Sequence, residues 1–421
     1  MSNVGVYRRG MPTLAPTSPA LHIPRSGIRL LMELAHRDPA ALHLEIGEPD
    51  TAPAAHVVDA AARAAHDGLA GYTASTGLAD LRAVAAERVA RVSGRATAPD
   101  DVVVTHGAMH GLTMTMAALL GPGDEILLPD PMFPNWAMAA VSVGAVVRTY
   151  RTAAEAGYVP DVAEVEASIG PRTRAIVVCS PNNPTGAVYP ADVVAGLVDV
   201  ARRHDLWVLS DECYEAVTFG APHVSPAAFD TDGRVVVQHS LSKTYAMTGW
   251  RIGYLATPRH ELVETLGHLA EATIACPSAV GQHAALAALT GPQDHVAAAV
   301  ASYRARRDEA VALLDAAGLG YVRPEGAFYL MVDVGQDDTD AFALRLLAER
   351  QVAVAPGSTF GTAAHGQVRV SLAAAPDVLR AGLARLVDAV TAGEPGQAVT
   401  AGEPGQTTGD RARTGRLVEA N

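Results

Sequence analysis

Short, wholly apolar runs alternate with longer amphipathic stretches through the middle of this chain. The runs at 102–104, 125–128, 145–147, 175–178, 207–209, 235–237 and 252–255 read as strands. They are rich in Val, Ile and Leu and show little polar alternation. That marks strands buried on both faces. Helical periodicity fills most of the gaps, as at 109–120 and 191–204. Gly121-Pro122-Gly123-Asp124 stops one such helix before the next strand. Strand and helix in alternation predict an α/β fold: a three-layer α/β/α large domain around a mostly parallel sheet.

The pattern changes after about residue 295. A long helix over 296–317 is followed by strands at 318–322 and 328–332. A helix at 340–350, strands at 352–355 and 368–371, and a last helix at 375–391 complete it. This reads as a smaller α+β domain, joined by residues 21–45, with the large domain spanning 46–295. Residues 1–20 read as an N-terminal arm. At the other end Thr391-Ala392-Gly393-Glu394-Pro395-Gly396-Gln397 recurs at 400–406, and residues 391–421 read as a flexible tail.

Composition narrows the function. Of 421 residues, 49% are hydrophobic and 18% charged, which suits a folded globular chain. A formal net charge of -13 disfavours nucleic acid or an anionic membrane as partner. No apolar run reaches bilayer-spanning length, and none follows Arg8 and Arg9 as a secretory signal requires. Cys179, Cys213 and Cys276 form no C-x-x-C pair, which fits a reducing cytoplasm better than a zinc or disulfide framework. His106 and His110 stand four apart with no carboxylate between them and read as incidental, leaving no metal site.

The chemistry sits where strands end. In parallel sheets, ligands bind beyond the carboxyl ends of the strands. The run at 235–237 leads into Ser240-Leu241-Ser242-Lys243, with Arg251 eight residues on. A primary amine beside hydroxyls and an arginine suits a phosphorylated aldehyde: the amine forms an imine and the other groups hold the phosphate. Pyridoxal 5'-phosphate is the cofactor of that description. Other strand ends add His106-Gly107-Ala108-Met109 at a helix start, Phe133, Ser180-Pro181-Asn182-Asn183-Pro184-Thr185-Gly186, and Asp211 with Tyr214.

Taken together these motifs resemble the class I/II aminotransferase family of fold-type I pyridoxal-phosphate enzymes, in its aspartate-aminotransferase-like branch. The likeness runs from about residue 23 to 369. It implies that Lys243 forms the internal aldimine and shuttles the proton. It implies that Asp211 pairs with the pyridine nitrogen. Asn183 and Tyr214 would hydrogen-bond the ring hydroxyl, and Phe133 would stack on the ring. Gly107, Ala108, Ser240, Ser242 and Arg251 would bind the phosphate, with Met109 next to them. Tyr72 would reach the phosphate of a neighbouring subunit, which implies a homodimer. Arg369 would grip the substrate α-carboxylate, with Asn183 beside it, and Gly47 belongs to a loop that closes over the substrate.

The expected activity is transfer of an amino group from an L-amino acid to a 2-oxo acid. Aspartate-specific members carry a lysine where Met109 stands. A thioether cannot pair with a distal carboxylate, so a neutral or aromatic donor is expected. The rival reading is a lyase or cyclase of the same fold acting on a β-substituted amino acid. A regulator built on this fold would need a DNA-binding domain before it, and only about 20 residues precede the likeness.

Overall fold

The computed structural model describes residues 19–392, so nearly all of the expected arm and tail lies outside the described residues. A short strand, Leu42–His43 (β1), comes first. The large sheet then uses Val102–Thr105 (β2), Glu125–Asp130 (β3), Val146–Arg151 (β4), Thr173–Cys179 (β5), Trp207–Asp211 (β6), Val235–Ser240 (β7) and Gly253–Ala256 (β8). Its order is β2-β8-β7-β6-β5-β3-β4. Only β8 runs against both of its neighbours. The mostly parallel sheet expected from the apolar runs is present.

Alternation within those runs distributes side chains to two cores. Val102, Val104, Leu127, Ile176 and Val178 enter one cluster. Val103, Ile126, Leu128, Ala175 and Val177 enter another. Side chains alternate across a strand, so this split is a sheet with a packed layer on each face. β4, at one edge of the sheet, is the exception and is mostly exposed, whereas β2 at the other edge is buried.

Past the large sheet, Tyr329–Asp333 (β9), Val352–Ala353 (β10), Ala355–Pro356 (β11) and Gln367–Ser371 (β12) follow the long helix Asp294–Ala317. A third core holds Phe328, Leu330, Val332, Val368 and Val370 with Leu31 and Leu44. β1 pairs with β10, which ties the early segment to this late one. The single strand expected over 352–355 is two strands, because β10 pairs with β1 and β11 with β12. The strand expected at 318–322 is reduced to one bridge, Tyr321 with Val332. Gly318 caps the long helix in the left-handed region at φ 69°, and Pro324 lacks an N–H, so little backbone is left to pair.

Candidate active site

The carboxyl ends of β2, β3, β5, β6 and β7 face one cavity of about 1080 Å³. At the end of β2, Gly107 has φ 72° and opens the helix Gly107–Leu119. A Cβ there would stand 2.5 Å from Arg251 Nη2, so glycine is needed for both conformation and space. The close approach sets the Arg251 guanidinium over a helix N-terminus, whose first N–H groups have no intrahelical partner. Arg251 Nη1 donates to the Thr248 carbonyl at 2.6 Å. Burial, then repulsion from Arg29, lowers the Arg251 pKa. An anion bound here relieves both.

β7 delivers Ser240, whose hydroxyl accepts from Ser242 N at 3.1 Å and caps the short helix Leu241–Thr244. That turn carries Lys243 into the cavity. Its Nζ donates to the Gly47 carbonyl at 2.5 Å and lies 5.9 Å from the centre of the Phe328 ring. Gly47 is fixed as glycine by its surroundings: a Cβ would fall 1.7 Å from the Tyr329 hydroxyl.

β6 ends in Asp211. Its Oδ1 accepts from Cys213 N at 3.2 Å, and its Oδ2 from the Trp136 indole N–H at 3.1 Å. Tyr214 is buried with its hydroxyl 2.8 Å from that of Tyr329. Burial first, and then Tyr329, push its pKa well above the ordinary tyrosine value. Beyond β5, the Asn182 side chain accepts from Thr185 N and Oγ1, which shapes the loop that presents Asn183. Phe133 caps the helix Pro134–Ser142 and lines the cavity.

Arg369 comes from β12, in the other sheet, and is 1% exposed. Its Nη1 donates to Asn183 Oδ1 at 2.9 Å and its Nη2 to the Glu45 carbonyl. Its guanidinium carbon stands 4.2 Å from the centre of the Tyr329 ring and 4.8 Å from that of Phe360. Burial lowers its pKa, and its Nε has no partner. A buried guanidinium held only by neutral acceptors is poised for a carboxylate.

Met109, Leu112 and Met138 give the cavity an apolar wall. Ala108 also lines it. Of the residues singled out in the sequence, Tyr72 alone stands apart. It is 93% exposed and lies beside Cys276 and Pro277. Three contributors were not foreseen: Trp136, Tyr329 and Gln238. Gln238 lines the cavity, is buried, and its Oε1 has no partner. Its signal was a polar side chain directly after the apolar run Val235-Val236-Val237 and shortly before Ser240. Trp136 carried a faint signal, standing one helical turn after Phe133 behind the helix-starting Pro134.

Comparison with known proteins places this arrangement. The sequence model of the family "Aminotransferase class I and II" matches residues 40–389. The chain belongs to the class I and II aminotransferases. It is 38% identical over 382 residues to the aspartate/prephenate aminotransferase of Thermus thermophilus, covering 89% of this chain and 94% of that one. The Thermus thermophilus aspartate aminotransferase solved with maleate superposes with a TM-score of 0.85 at 36% identity, covering 89% of this chain and all of that one. The aromatic aminotransferase of Pyrococcus horikoshii gives 0.81 at 33%, over 87% and 99%. This aminotransferase therefore has the three-layer fold-type I architecture and uses pyridoxal 5'-phosphate. Elimination or cyclisation by the same fold is not favoured.

The cavity fits that cofactor. A guanidinium at a helix N-terminus suits the phosphate, an amine the aldehyde, and a carboxylate the ring nitrogen. An unpartnered buried amide, Gln238, is left beside them. No helix among the described residues is long and apolar enough to cross a membrane.

Proposed function

We propose that this aminotransferase takes neutral or aromatic L-amino acids as donors, with Lys243, Asp211 and Tyr214 as its catalytic residues. The convergence of Lys243, Asp211, Arg251 and Arg369 on one cavity carries the assignment of roles. Bound pyridoxal phosphate supplies an electron sink for negative charge at the substrate Cα. Lys243 Nζ would hold the cofactor covalently, and its amine would serve as the base for the substrate Cα proton. Asp211 keeps the ring nitrogen protonated by its charge. Asn183 and Tyr214 hydrogen-bond the ring hydroxyl, and Phe133 covers the ring face. Arg251, Ser240, Ser242 and the N–H groups at Gly107, Ala108 and Met109 hold the phosphate.

Arg369 binds the substrate α-carboxylate. Binding exchanges the neutral acceptors on its Nη atoms for a charged one, and Asn183 is released to the substrate and cofactor. The Gly47 carbonyl accepts from Lys243 Nζ, which sets the Gly47 loop at the amine, where it would close over the substrate. The apolar wall around Met109 carries the donor preference, although relatives are named for aspartate and prephenate as well as aromatic substrates. The exposed ring of Tyr72 supports a homodimer in which it reaches the partner's phosphate site. With three free cysteines, the dimer works in the cytoplasm.

The test is the visible spectrum of the purified protein as single amino acids are added. Bleaching of a yellow protein by phenylalanine or leucine, and weakly by aspartate, is expected. Aspartate or glutamate as the fastest donor refutes the preference. A protein that releases ammonia without an oxo-acid acceptor refutes the proposed transfer.

A further inference from the structure

The carboxylate proposed to face the ring nitrogen is not held by the sheet alone. Asp211 Oδ1 accepts from its own strand end, at Cys213 N. Oδ2 accepts from a side chain that arrives from another element, Trp136, which is 2% exposed in the core beneath. Trp136 lies on the same helix that Phe133 caps, and Trp136 N donates to the Phe133 carbonyl at 3.2 Å. One turn of helix therefore supplies both the ring proposed to cover the cofactor and the donor beneath its nitrogen partner.

The chemistry of that donor matters. An indole N–H donates only and does not titrate. A hydrogen bond to a carboxylate favours its ionised form and lowers its proton affinity. With one bond fixed on each oxygen, the plane of the carboxylate is set, and the remaining lone pairs are those the cavity meets. A carboxylate held in one orientation presents a fixed acceptor to a pyridinium N–H, the form the electron sink needs.

We propose that Trp136 is a positioning residue of this aminotransferase: its indole N–H holds the Asp211 carboxylate aimed at the place of the cofactor ring nitrogen, and thereby secures that pairing. The proposal rests on the reading of Asp211 as the ring-nitrogen partner. A packing role alone requires the bulk of the indole and not its N–H. Without the N–H, Oδ2 loses its side-chain donor and the carboxylate is free to turn.

The experiment compares full-length holoenzymes. Trp136→Phe removes the donor. Replacement of Trp136 by benzothienylalanine keeps the bicyclic shape and removes only the N–H. Asp211→Asn removes the acid itself. Each is loaded with cofactor labelled with nitrogen-15 in the ring. The ring-nitrogen chemical shift and the cofactor dissociation constant are then measured. Both Trp136 replacements are expected to move the shift toward the unprotonated value and to weaken cofactor binding about tenfold, since a hydrogen bond to a charged group is lost. If the benzothienylalanine protein keeps the native shift and affinity while Asp211→Asn changes both, Trp136 only packs and the proposal fails. If Asp211→Asn also leaves the shift unchanged, the role given to Asp211 is wrong and the proposal falls with it. A Trp136→Phe protein that does not fold changes nothing, because the isosteric replacement decides.

Discussion

Asp211 and Glu212 are neighbours on one chain, and they belong to opposite kinds of site. Asp211 turns into the cofactor cavity. Glu212 turns away, 1% exposed, into a polar knot behind the sheet. Both oxygens of Glu212 are taken: Oε1 by the hydroxyls of Ser210 and Ser225 at 2.8 and 2.6 Å, Oε2 by His223 Nε2 at 3.1 Å. Burial pushes the Glu212 pKa up, but the charge and hydrogen bond of His223 and the weaker charge of His239 outweigh it and hold it at about 2. In the cavity the accounts are left open. Gln238 Oε1 and Arg369 Nε have no partner, and Arg369 has no acid bonded to it. The knot keeps open atoms too, at His223 Nδ1 and both ring nitrogens of His239. The difference is that its carboxylate already carries a histidine and two hydroxyls, while the Arg369 guanidinium carries only neutral acceptors and is left to pair with a ligand's charge.

The sharpest way to break this contrast is to remove the amine. Lys243→Ala deletes the proposed covalent tether and base together. Amino transfer is expected to fall by at least about 10⁴-fold, measured as the single-turnover bleaching of the cofactor band. The melting temperature should move by no more than about 2 °C, because Lys243 closes no buried network. A large loss of stability would put Lys243 on the structural side of the comparison.

The mirror experiment strikes the knot. His223→Gln leaves Glu212 as a buried charge without its cation, and a loss of about 3 kcal/mol in unfolding free energy is expected. The sign with pH follows from the two shifts. Burial lowers the His223 pKa, but Glu212 more than compensates and the net shift is upward. Its stabilising contribution is then complete below the ordinary value of 6.5 and is lost as pH rises through the folded value. Glu212 contributes fully above its ordinary 4.5 and loses this as pH falls toward about 2. The gap between wild type and variant in urea unfolding should therefore be widest between pH 4.5 and 6.5. The cofactor band of the folded variant should be unaltered. A variant as stable as wild type, or one that loses cofactor first, removes the distinction between the two sites.

How much of this the sequence disclosed follows the same division. The large sheet was readable because its strands other than β4 are largely buried on both faces and contain unbroken apolar runs. β10 and β11 were not separable, since only the choice of partner strand divides them at Val354. Lys243, Asp211, Asn183 and Arg251 were readable because each follows a strand and keeps a local motif. Trp136, Tyr329 and Gln238 were not. Trp136 and Tyr329 look like core residues along the chain and Gln238 like a polar strand end; only the packing of separate elements brings Trp136 onto Asp211 and the other two to the cavity. The Glu212–His223 pair was equally hidden, because the histidine stands eleven positions further along the chain and only the fold brings it back.

The finest test lies inside the cavity, where one side chain is proposed to choose the donor. Met109 stands in the first turn of the helix Gly107–Leu119 and shares a wall with Leu112 and Met138. Met109→Lys places an ammonium there. Its reach toward a distal carboxylate should raise kcat/KM for aspartate about tenfold and lower it for phenylalanine by a similar factor, roughly 1.4 kcal/mol each way. Two effects keep the gain small. The positive end of the helix dipole disfavours a cation in this turn. Arg29 also lines the cavity and repels a second positive charge. A lysine variant that leaves the donor ranking unchanged would show that side-chain choice is made elsewhere on the wall. The comparison would then sharpen to Arg29, another cation lining this cavity, near the first turn of the early helix Gly27–Ala35.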